Sequence, residues 1–289
     1  MLYNTLGKTG LEVSRLGFGT MRLPTFNSND EIDTEEASKM LEYGIENGIN
    51  LIDTAYPYHS KTLEGSGNSE RFVGEFLAEN NYRDEVYIST KSPSWAIESK
   101  NDFQMYLDEQ LEKLKTDYID IYLLHSLNVP DWEKVKNFDV LDFLDDCLSS
   151  GTVKHVGFSS HIEIDYLIEI IDEYPKWEVV MTQMNYFDEY YQSGIMGLEY
   201  LKEVNIGSMI MEPLRGGRLV NNIPQSVQDI WISHSCHTSI RGWKRGIYHP
   251  KSLRNLGRWK FHLDTCFQDH KAGIRDVAGQ ALALKFSVI

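Results

Sequence analysis

Seven short apolar runs, each followed by a stretch of helical periodicity, constrain this chain more than any other feature. The runs end near residues 19, 53, 90, 125, 158, 183 and 212. That spacing suits a right-handed crossover from one parallel strand, through a helix, to the next. Leu16–Gly19, Ile49–Asp53, Val86–Thr90, Tyr118–Leu124, Val153–Phe158, Val179–Thr182 and Gly207–Met211 read as the strands. Ala37, Met40, Leu41, Gly44 and Ile45 share one helical face, as do Phe72, Val73, Phe76 and Leu77, and Phe103, Leu107, Leu111 and Leu114. Asp33 or Thr34 can cap the first helix, and Asn68 or Ser69 starts the second. Gly48 and Gly151 stand where glycine stops a helix. The helix after Leu124 is expected to reach Leu148, with others near 163–172 and 195–204.

Seven such units in 289 residues predict an α/β fold, a (β/α)8 TIM barrel in one large domain. An open doubly wound sheet is the alternative that alternation alone leaves standing. No glycine fingerprint opens a helix, however: Gly17-Phe-Gly-Thr-Met-Arg22 and Gly65-Ser-Gly-Asn-Ser-Glu70 both miss the third glycine.

Composition narrows the function classes. The net charge of −15 repels phosphate backbones, so no nucleic-acid partner is expected. No apolar run approaches the roughly 20 residues that cross a bilayer, and the N-terminus lacks a signal peptide's pattern. Cys147, Cys236 and Cys266 are too scattered for a disulfide framework or a metal knuckle. His59, His125, His155 and His161 have no carboxylate at ligand spacing, so no metal site is expected. A cytoplasmic enzyme is the class that remains. The charge is unevenly placed: residues 1–230 hold 18 basic and 40 acidic residues, residues 231–289 hold 10 and 3.

Chemistry in a barrel collects at the C-terminal ends of the strands. The polar residues there are Asp53, Lys91, His125, Ser159, Ser160 and Gln183, with Tyr58 in the loop after Asp53. Singly, each has a bland reading: a helix cap, a solvated lysine, a hydrogen-bonded wall histidine, a packed phenol. Together they place an acid, a base and a phenol in consecutive units at one mouth. An ammonium beside a phenol favours phenolate and lowers its pKa, and a carboxylate behind the ammonium keeps it charged. Such a tyrosine can protonate a carbonyl oxygen that a neutral imidazole holds. No side chain transfers hydride, so a nicotinamide must supply it.

The motifs that carry these residues are Ile52-Asp-Thr-Ala-Tyr-Pro-Tyr58, Ile88-Ser-Thr-Lys91, Tyr122-Leu-Leu-His125, Val156-Gly-Phe-Ser-Ser160, Gln183-Met-Asn-Tyr186 and Pro213-Leu-Arg-Gly-Gly217. In this order they resemble the aldo/keto reductase superfamily, and the segment from Tyr3 to Thr20 is similar to its N-terminal hairpin and first strand. The resemblance covers about residues 2–230. It implies a TIM barrel that binds NADPH or NADH without a Rossmann domain and reduces a small carbonyl substrate. It also implies a catalytic tetrad of Asp53, Tyr58, Lys91 and His125, with carboxamide contacts from Ser159, Ser160 and Gln183. Further cofactor contacts fall on Gly19, Thr20, Met21, Asp53 and Met211, and on Pro213, Leu214, Gly216 and Gly217 for the pyrophosphate.

His59 and the run Met211-Glu-Pro-Leu-Arg-Gly-Gly217 resemble a bacterial and archaeal branch that often carries a C-terminal iron–sulfur segment, which the three cysteines here do not supply. Met211 stands where many relatives stack an aromatic ring, and a thioether packs there with less defined geometry. Nothing after about residue 231 resembles the family, and only Val277–Phe286 has helix-like apolar content. The expected organisation is therefore a barrel over 1–230 and an atypical basic segment over 231–289, with the eighth β/α unit absent or replaced. Two other readings remain: a barrel that binds cofactor for regulation without catalysis, and a product of a damaged gene.

Overall fold

The computed structural model describes residues 1–62, 65–219 and Gln225. Its centre is a seven-stranded parallel sheet in strictly sequential order. The strands are β3 (Phe18–Gly19), β4 (Leu51–Asp53), β5 (Tyr87–Ser92), β6 (Ile119–Leu127), β7 (Val153–Ser160), β8 (Val179–Gln183) and β9 (Gly207–Met211). A hairpin of β1 (Tyr3–Thr5) and β2 (Glu12–Ser14) precedes them. Between strands run α1 (Thr34–Glu46), α2 (Ser69–Asn80), α3 (Lys100–Leu114), α4 (Val129–Lys136), α5 (Val140–Ser150), α6 (Ile164–Glu173) and α7 (Gly194–Glu203).

Consecutive strand residues bury in opposite directions. Ile52, Ile88, Tyr122, Leu124, Val156, Phe158 and Val180 belong to the large core under the helices. Their neighbours Leu51, Ile121, Leu123, Val179, Met181 and Met209 form a separate inner core. A sheet buried on both faces by alternation is what a curled parallel sheet requires. The hairpin closes the inner core from below, because Leu6 and Val13 pack into it. Asn50, just before β4, anchors the hairpin by accepting from Ser14 N at 2.6 Å and donating to Glu12 O at 2.8 Å. At Gly157, inside the curl, any Cβ would strike the Val179 carbonyl, so only glycine lets β7 and β8 approach.

The local expectations hold in most elements and fail in three. Asp33 caps α1 by accepting from Glu36 N, and α2 starts at Ser69. The first strand is shorter and less buried than Leu16–Gly19, because only Phe18 and Gly19 reach β4. The helix expected to run to Leu148 is two, broken where Asp139 takes φ +58°. Strand β6 continues past His125 to Leu127. The eighth unit, the run Val277–Phe286 and the boundary at residue 230 lie outside the described residues. Among those residues, no helix is long and apolar enough to cross a membrane, and no group of three or more His, Cys, Asp or Glu could hold a metal ion.

Candidate active site

Parallel strands deliver their C-terminal residues to one mouth, and register decides which of them meet. Asp53 pairs with Ser89 across β4 and β5, so Lys91, two residues on, reaches back over Asp53. Lys91 is fully buried, contrary to a solvated reading. Its ammonium has three N–H groups and three acceptors: Asp53 Oδ2 at 2.6 Å, Thr54 O at 2.7 Å and the Tyr58 hydroxyl at 3.3 Å. Ser89 Oγ donates to the other Asp53 oxygen at 2.9 Å. Because Tyr58 accepts from Lys91, its own proton stays available to a ligand.

The electrostatics refine the expectation for the phenol. Burial raises the Tyr58 pKa above the ordinary tyrosine value; Lys91 pulls it down, as expected, but the net shift is upward. The phenol therefore rests protonated, the state a proton donor needs. Burial works against the Lys91 charge, yet Asp53 and Tyr58 outweigh it and hold the ammonium protonated. Tyr58 is half-buried, and its loop is locked: Ser69 N donates to Tyr58 O and Gly67 N to Tyr56 O.

His125 joins this group through a bulge. Leu124 pairs with Phe158 but Leu127 with Ser160, so β6 carries one residue more than β7 across this interval. Ser126 takes φ +50° there and donates from its amide to Ser159 Oγ at 2.9 Å. The His125 ring lies edge-on to Tyr58, centroids 5.9 Å apart, and 5.1 Å from Trp95. Burial first, then the charges of Lys91 and His161, hold its pKa well below 6.5. Its Nδ1 is buried with no hydrogen-bond partner among the described residues. An orphaned lone pair costs less than an orphaned N–H, which favours the tautomer protonated at Nε2.

On the opposite side of the mouth, Ser160 Oγ and Gln183 Oε1 are buried without partners among the described residues. A hydroxyl donor and an amide acceptor left vacant together fit a carboxamide, which offers both complements. Met211 pairs with Gln183 on β9 and packs on the inner core. Beyond it, Glu212, Arg215, Gly216 and Gly217 all take positive φ, so the loop with Pro213 and Leu214 turns tightly. Arg215 pairs with Asp188 at 3.3 Å. Gly19 pairs with Asp53, and Thr20 spends its hydroxyl on Asp53 O at 3.0 Å; Met21 is exposed.

Sequence reading missed several contributors. The Arg22 guanidinium lies beside Gly216, 3.5 Å from where a Cβ would stand, which brings a cation to the loop after β9. Glu70 and Gln110 are buried behind β5; Gln110 donates to Lys91 O, and Glu70 accepts from Gln110 and from Thr90 Oγ1. Their signal was visible: each is a polar residue on an otherwise apolar helical stripe. His59, weighed as a metal ligand and noted in the resemblance, is buried and accepts from Leu23 N at 3.1 Å, with Nδ1 2.7 Å from Asn29 O. His155 sits at the start of β7, away from the mouth, against Glu178.

Comparison with known proteins finds relatives of the chain and of its fold. The chain is 29% identical over 215 residues to the protein tas of Escherichia coli, covering 64% of this chain and 60% of that protein. It is 28% identical over 235 residues to the 6-dehydroglucose reductase of Novosphingobium aromaticivorans, covering 78% and 73% of the two chains. The holo form of an aldo-keto reductase from Bacillus halodurans aligns at a TM-score of 0.60 and 26% identity, over 78% of this chain and 70% of that one. A family model described as the aldo/keto reductase family matches residues 15–230, most of the length, and with it the parallel sheet and its hairpin make this chain a member of that family.

Proposed function

We propose that this protein is an NAD(P)H-dependent oxidoreductase that reduces a small aldehyde or ketone to the alcohol. The observation that carries the reading is the buried chain from Asp53 through Lys91 to Tyr58, with His125 beside the phenol. A bound nicotinamide supplies the hydride, which no side chain can. Tyr58 donates its hydroxyl proton to the carbonyl oxygen as charge develops there. Lys91 stabilises the phenolate left behind, and Asp53 keeps the ammonium charged and aimed. Neutral His125, protonated at Nε2, donates to the same oxygen and orients it.

Ser160, Gln183 and Ser159 would hold the carboxamide, and Met211 would pack against the ring. The loop Pro213, Leu214, Gly216 and Gly217, with Arg22 across from it, would hold the pyrophosphate. Gly19, Thr20 and Met21 would shape the wall beside Asp53.

The test is a fluorescence titration with NADPH, followed by turnover of nitrobenzaldehyde read as loss of NADPH. Tyr58→Phe should bind NADPH as wild type does and lose about 10²–10⁴-fold in kcat. Tight NADPH binding with no turnover across an aldehyde and ketone panel would favour a regulatory barrel instead. Failure to bind would remove the proposal.

A further inference from the structure

Strand β5 outruns its neighbour. The ladder with β4 ends at Asp53 and Ser89, and Thr54 N takes the Ser89 carbonyl at 2.8 Å. In a strand, carbonyls two residues apart face the same side, so the Lys91 carbonyl also faces β4, where β4 has already left the sheet. Gln110 of α3 replaces the missing ladder donor: its Nε2 lies 3.1 Å from Lys91 O.

An amide can face either way, and here its orientation is dictated. Tyr122 OH donates to Gln110 Oε1 at 2.8 Å, and Gln110 Nε2 donates to Glu70 Oε1 at 2.5 Å. Thr90 Oγ1 donates to the same carboxylate oxygen at 2.6 Å. The Lys91 carbonyl can only accept, so the NH2 group of Gln110 must face it; burial raises the Glu70 pKa, and Lys113, Thr90 and Gln110 work against that rise. Lys113, itself buried, lies 3.5 Å from the other Glu70 oxygen and 2.9 Å from Glu109, sharing its charge between the two. Two ion pairs thus flank β5, Asp53–Lys91 inside and Glu70–Lys113 outside, joined through one carbonyl.

We infer that Glu70 and Gln110 are positioning residues for the proposed reduction, fixing the end of β5 so that the Lys91 ammonium stays within bonding reach of the Tyr58 hydroxyl. The inference rests on the function proposed above. Neither residue touches the ligand, so their loss should act on the chemical step and not on cofactor binding.

The experiment compares wild type, Gln110→Leu and the isosteric Glu70→Gln. With nitrobenzaldehyde and NADPH, Gln110→Leu should lower kcat by about tenfold or more while the NADPH dissociation constant stays within twofold. Glu70→Gln should do the same to a smaller extent. A readout independent of turnover is NMR of tyrosine isotopically labelled at Cζ, the Tyr58 resonance being the one lost in Tyr58→Phe. With Lys91 displaced, that resonance should titrate at higher pH in both variants than in wild type. If Gln110→Leu does not fold, Glu70→Gln carries the same test. Folded variants with an unchanged Tyr58 titration and unchanged kcat would overturn the inference. If wild type shows no turnover, the proposed function fails while the Tyr58 titration still decides the positioning role.

Discussion

The two ends of the parallel sheet treat buried polar groups in opposite ways. At the N-terminal end, among the described residues, the buried polar groups are answered. Arg83 pairs with Asp120 at 3.0 Å and donates to Val86 O, Tyr118 O and Thr116 Oγ1, while Asp120 also accepts from Ile88 N. At the C-terminal end Ser94, Trp95, His125, Ser160 and Gln183 each bury a polar atom with no partner among the described residues. Each such atom costs about 1–3 kcal/mol. Positive φ follows the same division. At the N-terminal end Asn81 and Lys115 adopt it as ordinary helix stops, whereas at the mouth His59, Glu212 and Arg215 adopt it in loops and Ser126 in the β6 bulge. One end maximises stability; the other holds groups ready for something the chain itself does not contain.

That division can be broken or sharpened by substitution. Lys91→Met should have the largest effect, because it leaves Asp53 buried without its cation. A loss of about 3–5 kcal/mol in urea unfolding is expected, together with loss of turnover. Arg83→Met should cost about 2–3 kcal/mol at the opposite end through its lost charged hydrogen bonds. There kcat per folded molecule should not change; a parallel fall in kcat would dissolve the contrast between the ends.

Ser160→Ala should reverse the sign. Removing an unanswered hydroxyl should leave the free protein as stable or up to about 1 kcal/mol more stable, while NADPH binding weakens roughly two- to tenfold. Thermal unfolding and the fluorescence titration read the two effects separately.

The smallest effect concerns pH. His125 has a folded pKa well below 6.5, so the unfolded chain takes up its proton first on acidification. Stability should therefore be fully present above pH 6.5 and decline as pH falls from there toward the folded pKa. His125→Gln should flatten that part of the profile, and an unaltered profile would show that the imidazole is not held neutral.

Much of this was legible along the chain because two signals are local. Short continuous apolar runs marked the strands, since neighbours such as Leu51 and Ile52, or Val179 and Val180, face different cores and must both be apolar. The spacing of the strand ends then placed Asp53, Tyr58, Lys91 and His125 at one mouth. What escaped depends on register and on residues distant in sequence. The bulge that carries His125 exists only because β6 and β7 differ by one residue between Leu124 and Leu127. The break at Asp139 inside an apolar helical pattern had no glycine or proline to announce it. The balance at Tyr58 depends on how deeply its hydroxyl is buried, which no pattern of residue types states.

The order of strands and helices, the identity of the four polar groups and the side of the barrel they occupy are written in the amino-acid sequence, because periodicity and strand direction act over a few residues at a time. Which way Gln110 faces, which carbonyl it takes, and that Lys91 ends with three acceptors for three protons were decided by tertiary structure. Hydrogen bonds are satisfied or orphaned only when segments separated by tens of residues come within about 3 Å of one another.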